Sequence, residues 1–177
     1  APVSWKRKRP AASLPWPPPG VAVDFLYRGP SEGVLRDIAV TVHYELYSHL
    51  PVLGKWLTVS NGTSRAVTLD QVAVERLATV EAESAVDERP NIAWRTPAVD
   101  VLSDYMFKGM DHVTGNQLAS WQTDPAFKTQ VSYAYKTPCV LVVQPPVGPG
   151  VVLQHGESWT SFRSFLVVHD STERERQ

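Results

Sequence analysis

A chain of 177 residues, 43 % hydrophobic and 20 % charged, is long enough to bury one substantial core and too apolar for wholesale disorder. Its net charge of −1 at pH 7 supplies no global attraction for nucleic acid or an anionic membrane surface. No apolar run approaches the roughly 20 residues that cross a bilayer, so neither nucleic acid nor membrane is an expected partner.

Residues 1–20 hold six of the fifteen prolines and read as an extended arm, partly polyproline II, which Trp5 and Trp16 can pin to the domain surface. The basic cluster Lys6-Arg7-Lys8-Arg9 beside those prolines reads as a solvated tail, with a targeting or nucleic-acid signal as its alternative. These residues contain no basic-then-apolar leader, and location in a bacterial cytoplasm or outside it stays open. The β-sandwich domain is expected over 21–169. Val21, Val23, Phe25 and Tyr27 alternate with Ala22, Asp24, Leu26 and Arg28 as a first strand, ended by the turn chemistry of Gly29-Pro30-Ser31-Glu32-Gly33.

The segment 38–59 organises the rest. Ile38, Val40, Val42, Tyr44 and Leu46 share one face of a strand, and Ala39, Thr41, His43, Glu45 and Tyr47 the other. Pro51 breaks the run, Val52 to Val59 forms the next strand, and Asn61-Gly62 reads as a two-residue hairpin turn. A third strand from Ala66 to Val80 completes the expected meander, with phase slips near Asp70-Gln71 and Glu75-Arg76 read as β-bulges.

Between Glu81 and Gln130 the periodicity fades, which marks functional loops or short strands. Trp94, Tyr105 and Trp121 fall there, either as ligand-stacking rings or as seals against the core. Val131, Tyr133 and Tyr135 restart alternation, and Cys139 to Val143 is apolar enough to be buried on both faces. Residues 144–150 (QPPVGPG) form a rigid turn, Val151 to Leu153 a short strand and His155-Gly156-Glu157 another turn. Trp159 to Val168 reads as one central strand, with Trp159, Phe165 and Val167 opposite Phe162, Leu166 and Val168. Thr172-Glu173-Arg174-Glu175 has the form of a capping box, so residues 170–177 are expected to begin a truncated helix or linker of a longer polypeptide.

The five histidines are scattered without a metal-ligand spacing, and no cofactor or metal is expected. There is no GxSxG elbow, P-loop or GxGxxG turn. Paired carboxylates remain the one enzymatic option, drawn from Glu81, Glu83, Asp87, Glu88, Asp100, Asp104 and Asp111. Asn61-Gly62-Thr63 also has the form of an N-glycosylation sequon.

Two stretches, HYELYSHLPVLGKWLTVSNGTSRAVTLDQVAVE (43–75) and KTPCVLVVQPPVGPGVVLQHGESWTSFRSFLVVHDSTERER (136–176), resemble the N-terminal β-supersandwich of α-galactosidase-like proteins of the glycoside hydrolase 36 type. His49 departs from that pattern, standing where an acidic or glycine turn residue is expected. The resemblance implies an all-β fold, a large antiparallel two-sheet β-sandwich akin to galactose mutarotases. It also implies a domain that packs on a (β/α)₈ catalytic barrel of the parent chain, supports a homo-oligomer and lends residues to a sugar site. The catalytic aspartates of such proteins belong to the barrel, so no catalytic residue is carried over and the chain alone is not expected to be active.

Three functions follow as expectations. The first is a non-catalytic domain of a glycoside-hydrolase-like protein, in contact with carbohydrate through Trp94, Tyr105, Trp121 or Asp104. The second is a stand-alone carbohydrate-binding module that uses the same rings. The third is a mutarotase-like enzyme with His112 and either Asp104 or Glu83 as acid and base.

Overall fold

The computed structural model describes residues 18–81, 99–105, 117–127 and 137–169. Among them the chain is all-β and antiparallel, with a 3-10 turn at Pro125–Phe127. A six-stranded sheet runs β1(Gly20–Arg28), β2(Ile38–Tyr47), β3(Val52–Asn61), β11(Ser164–Val168), β6(Val99–Ser103), and β10(Ser158–Thr160) also pairs with β3. A three-stranded sheet has the order β5(Glu75–Glu81), β8(Thr137–Val143), β7(Ala119–Thr123), and β4(Val67–Leu69) forms a two-stranded ribbon with β9(Val151–Leu153). No helix among the described residues is long and apolar enough to cross a membrane.

The alternation read in 38–47 sets the two faces of the large sheet. Val42 lies opposite Phe25 on one side and Leu57 on the other, which places Val21, Val23, Phe25, Tyr27, Leu53, Leu57 and Val59 on its face. Leu166, opposite Leu53, continues this face into β11 and meets Leu141 and Val143 of the small sheet and Leu118 just before β7, with Leu53, Val99 and Val101 packed around them. Cys139 to Val143 is buried on both faces, as its composition implies, because β8 is the middle strand of its sheet. Each fully buried valine or leucine there contributes roughly 1.5–3 kcal/mol.

One charge interrupts the apolar inner face. Lys55 of β3 sits between Leu53 and Leu57 in the strand, and its Nζ lies 2.7 Å from Glu75 Oε1 at the start of β5. Their side chains are only 12 % and 4 % exposed. The ammonium also lies 5.4 Å from the centroid of the Tyr44 ring. The pair joins the two sheets through the interior.

Three expectations are corrected. First, the meander is β1-β2-β3, and the chain leaves the sheet after Asn61 instead of turning back along it. Asn61 is 1 % exposed. Its Nδ2 donates to the carbonyls of Arg65 (2.7 Å) and Leu153 (2.9 Å), and its Oδ1 accepts from Thr63 N (2.9 Å) and Oγ1 (2.7 Å). The adjacent glycine is required by close approach, not by positive φ: a Cβ on Gly62 would lie 2.7 Å from the Asp37 carbonyl oxygen, to which its N–H donates.

Second, the phase slips at Asp70-Gln71 and Glu75-Arg76 mark a passage between sheets. β4 pairs with β9 and β5 with β8, so 66–80 is two strands and not one bulged strand. Third, 159–168 is divided. Thr160 lies opposite Thr58 and Ser164 opposite Lys55, so three residues, 161–163, face two on β3. This is a β-bulge, held by Ser161, whose N–H donates to Leu57 O (2.8 Å) and whose Oγ accepts from Leu57 N (2.9 Å). It puts Trp159 and Phe162 on the inner face with Leu166, so Trp159 stands opposite to Phe165 instead of beside it. At the turn between β2 and β3, His49 takes φ 65, the left-handed region that favours glycine.

Lys55→Met alone is expected to cost roughly 3–5 kcal/mol of unfolding free energy in a denaturant titration, because Glu75 is left buried and unpaired. Lys55→Met with Glu75→Leu is expected to recover most of that loss. Asn61→Ala removes the donor to the Leu153 carbonyl and the acceptor of the Thr63 N–H, and is expected to cost roughly 2–3 kcal/mol in the same assay.

Candidate functional site

Where the bulge turns the chain inward, a cleft of about 450 Å³ opens, lined by Val72, Tyr105, Pro145, Val147, Gly148, Pro149, Trp159 and Phe162. Four separate pieces of chain converge on it: the passage between β4 and β5, the end of β6, the 144–150 turn, and β10 with its bulge. The 144–150 turn forms one wall, and Gly148 (φ 87) and Gly150 (φ 61) supply its left-handed backbone. The rings of Tyr105 and Phe162 meet at 5.0 Å with an interplanar angle of 52°.

Tyr105 is held there by its predecessors. Asp104 Oδ1 accepts from Arg163 N at 2.6 Å, and Asp104 N donates to Arg163 O at 3.3 Å. Ser103 Oγ donates to the same Arg163 carbonyl (3.0 Å) and accepts from Tyr105 N (2.9 Å). Residues 103–105 are thereby fastened to the bulge, and Tyr105 is set against Phe162 before any ligand arrives. Apart from the Tyr105 phenol, the described residues of the lining carry no titratable side chain.

Of the residues singled out in sequence, Tyr105 lines the cleft and Asp104 anchors it from behind. Trp121, opposite Leu141 in β7, is half-buried against the core cluster and not in the cleft lining. Trp94, His112, Glu83, Asp87, Glu88 and Asp111 lie outside the described residues, as do Trp5, Trp16 and the capping box at 172–175. Asp100 points to the opposite end of β6 and bonds His169 Nε2 at 2.9 Å. Trp159 and Phe162 entered the sequence reading only as strand residues. Their signal is the extra residue between Thr160 and Ser164, which no period-two pattern reveals without the partner strand.

The outer face of the large sheet carries a second cluster. His43 Nδ1 lies 2.8 Å from Asp24 Oδ1, His43 Nε2 lies 2.9 Å from Thr58 Oγ1, and Thr58 Oγ1 lies 3.2 Å from Thr160 Oγ1. The His43 ring stacks on Trp56 (4.9 Å, 13°), and the Arg163 guanidinium lies 4.3 Å from the centroid of the same indole. Arg163 also approaches Glu45 at 3.7 Å, and the Tyr47 hydroxyl donates to Glu45 at 2.7 Å. An Asp–His–Thr relay has the connectivity of a nucleophilic triad, but acyl transfer also needs N–H donors for an oxyanion. Around Thr58 the backbone of β3 is paired with β2 on one side and β10 on the other, and the relay is a cross-strand ladder. Among the described residues no group of three or more His, Cys, Asp or Glu could hold a metal ion.

No known protein family, curated protein or solved structure matches the chain.

Burial, then the hydrogen bond to Glu45, raises the Tyr47 phenol above its ordinary value. The neutral phenol is favoured in the folded state, so its contribution is complete below the ordinary tyrosine value of about 10 and is lost as pH rises through the folded value. Tyr47→Phe is expected to show a shallower fall in stability above that pH than the wild type, read by denaturant unfolding across an alkaline series.

Proposed function

We propose that the chain is a non-catalytic β-sandwich domain of a glycoside-hydrolase-like protein, which contacts carbohydrate in the cleft of Tyr105, Trp159 and Phe162 and packs on a (β/α)₈ catalytic barrel of the parent chain. The observation that supports it is the lining itself: three aromatic rings and two prolines, preset by the Asp104–Arg163 staple, with no carboxylate or imidazole among its described residues. Planar aromatic faces offer the C–H face of a sugar ring a large contact at small entropic cost. Glycoside hydrolysis needs two carboxyl groups facing each other about 5–9.5 Å apart, which such a lining does not provide. The apolar lining suits a domain that holds a substrate while another part of the protein cleaves it.

Affinity electrophoresis of the chain in gels containing plant and bacterial polysaccharides tests the binding. Retardation on at least one glycan is expected, and Trp159→Ala is expected to weaken it about tenfold, equivalent to about 1.4 kcal/mol. Incubation with aryl α- and β-glycosides is expected to release no aryl alcohol, and robust turnover by the chain alone would contradict the assignment. The same cleft would serve a stand-alone carbohydrate-binding module. The natural gene beyond Gln177 separates the two readings: a barrel encoded there supports the first.

A further inference from the structure

We infer that the chain associates with a second copy of itself through the free edge of β1, two such strands pairing antiparallel about a two-fold axis at Leu26. Among the described residues β1 is paired on one side only, with β2. It is a nine-residue strand that is exposed throughout, with Val21 63 %, Leu26 56 % and Tyr27 58 % accessible. Sheet edges are ordinarily blunted by charged side chains, proline or a bulge; Gly20–Arg28 has neither proline nor bulge, and its two charges, Asp24 and Arg28, are of opposite sign.

The backbone and the side chains agree on one register. Gly29 N–H donates to Ile38 O, so the odd-numbered residues of β1 turn their polar groups toward β2 and Ala22, Asp24, Leu26 and Arg28 turn theirs outward. A two-fold axis at Asp24 would set that carboxylate against its copy, which is unfavourable. An axis at Leu26 sets Asp24 against Arg28 of the second copy, and Phe25 against Tyr27, on both sides of the axis. The Asp24 carboxylate is available for this, since it is 62 % exposed and bonds His43 through Oδ1 alone. Among the described residues Arg28 has no ion partner of its own. Pro30, the next outward position, has no N–H and ends the ladder. The six-stranded sheet then continues into its copy, and Phe25 and Tyr27 cover one another across the junction.

Sedimentation velocity and light scattering on the full chain read the result directly. The wild type is expected to be a dimer, and Arg28→Asp and Asp24→Arg each to be monomeric, because each sets like charges opposite one another. Mixed in equal amounts, the two variants are expected to restore a dimer, since each supplies the charge that the other lacks. A wild type that stays monomeric at high micromolar concentration overturns the proposal, and so does a dimer that survives both reversals. If Asp24→Arg does not fold by circular dichroism, Leu26→Cys replaces it. Directly hydrogen-bonded antiparallel partners lie about 5.5 Å apart at Cα, within disulfide range, so mild oxidation is expected to cross-link this variant. Absence of the cross-linked species overturns the inference as well. None of these outcomes bears on the carbohydrate reading.

Discussion

The two sheets meet through an apolar interior in which, among the described residues, Lys55 of one sheet is paired with Glu75 of the other, and neither can be buried without its partner. Lys55 projects from the inner face of β3 and Glu75 begins β5, and the 2.7 Å contact between them ties one sheet to the other at that point. Leucine or valine would pack in many offsets with similar energy. A buried ion pair tolerates one, because any other leaves two desolvated charges apart. The chain just before Glu75, including Val72, and Trp159 of β10 both line the cleft.

The bulge at 161–163 connects the two faces of the large sheet. One inserted residue sends Phe162 into the cleft and places Arg163 over Trp56 on the outside. The backbone of Arg163 meanwhile holds Ser103 and Asp104, and so Tyr105. A single residue thus carries contacts to the cleft through its main chain and to the outer ladder through its side chain. Disturbance of the Trp56 stack therefore has a short path to the Tyr105 ring, along covalent bonds and two hydrogen bonds.

Much of this fold was legible in sequence, and the failures have a common cause. Alternation over 21–28 and 38–59 gave the first three strands, and the unbroken apolar run 139–143 gave a strand buried on both sides. Pattern reading is local, and it went wrong wherever a distant partner decides. Asn61-Gly62 has the composition of a hairpin turn, but the Asn61 amide is consumed by Leu153, 92 positions away in sequence. The slips at 70–76 carry the same period-two signature whether a strand bulges or the chain changes sheet. Tyr105 was legible as an aromatic outside a clear strand, whereas Trp159 and Phe162 looked like core because their strand pattern was strong and the register break between them leaves no mark in one chain. Lys55 was invisible for a related reason: a lysine in a strand reads as solvent-facing until its partner sheet supplies Glu75.

The engagement of Asn61 also determines when this sequon can be modified. An oligosaccharyltransferase needs the side-chain nitrogen accessible, and in the folded chain that atom is committed to two carbonyls in a nearly sealed site. Attachment of a sugar is thus restricted to the interval before β3 and β9 are tied together, and a chain that received one would be unable to close that junction. Expression in a eukaryotic secretory pathway therefore sets glycan transfer and folding in competition at one atom, while a host without that enzyme leaves the junction free to form.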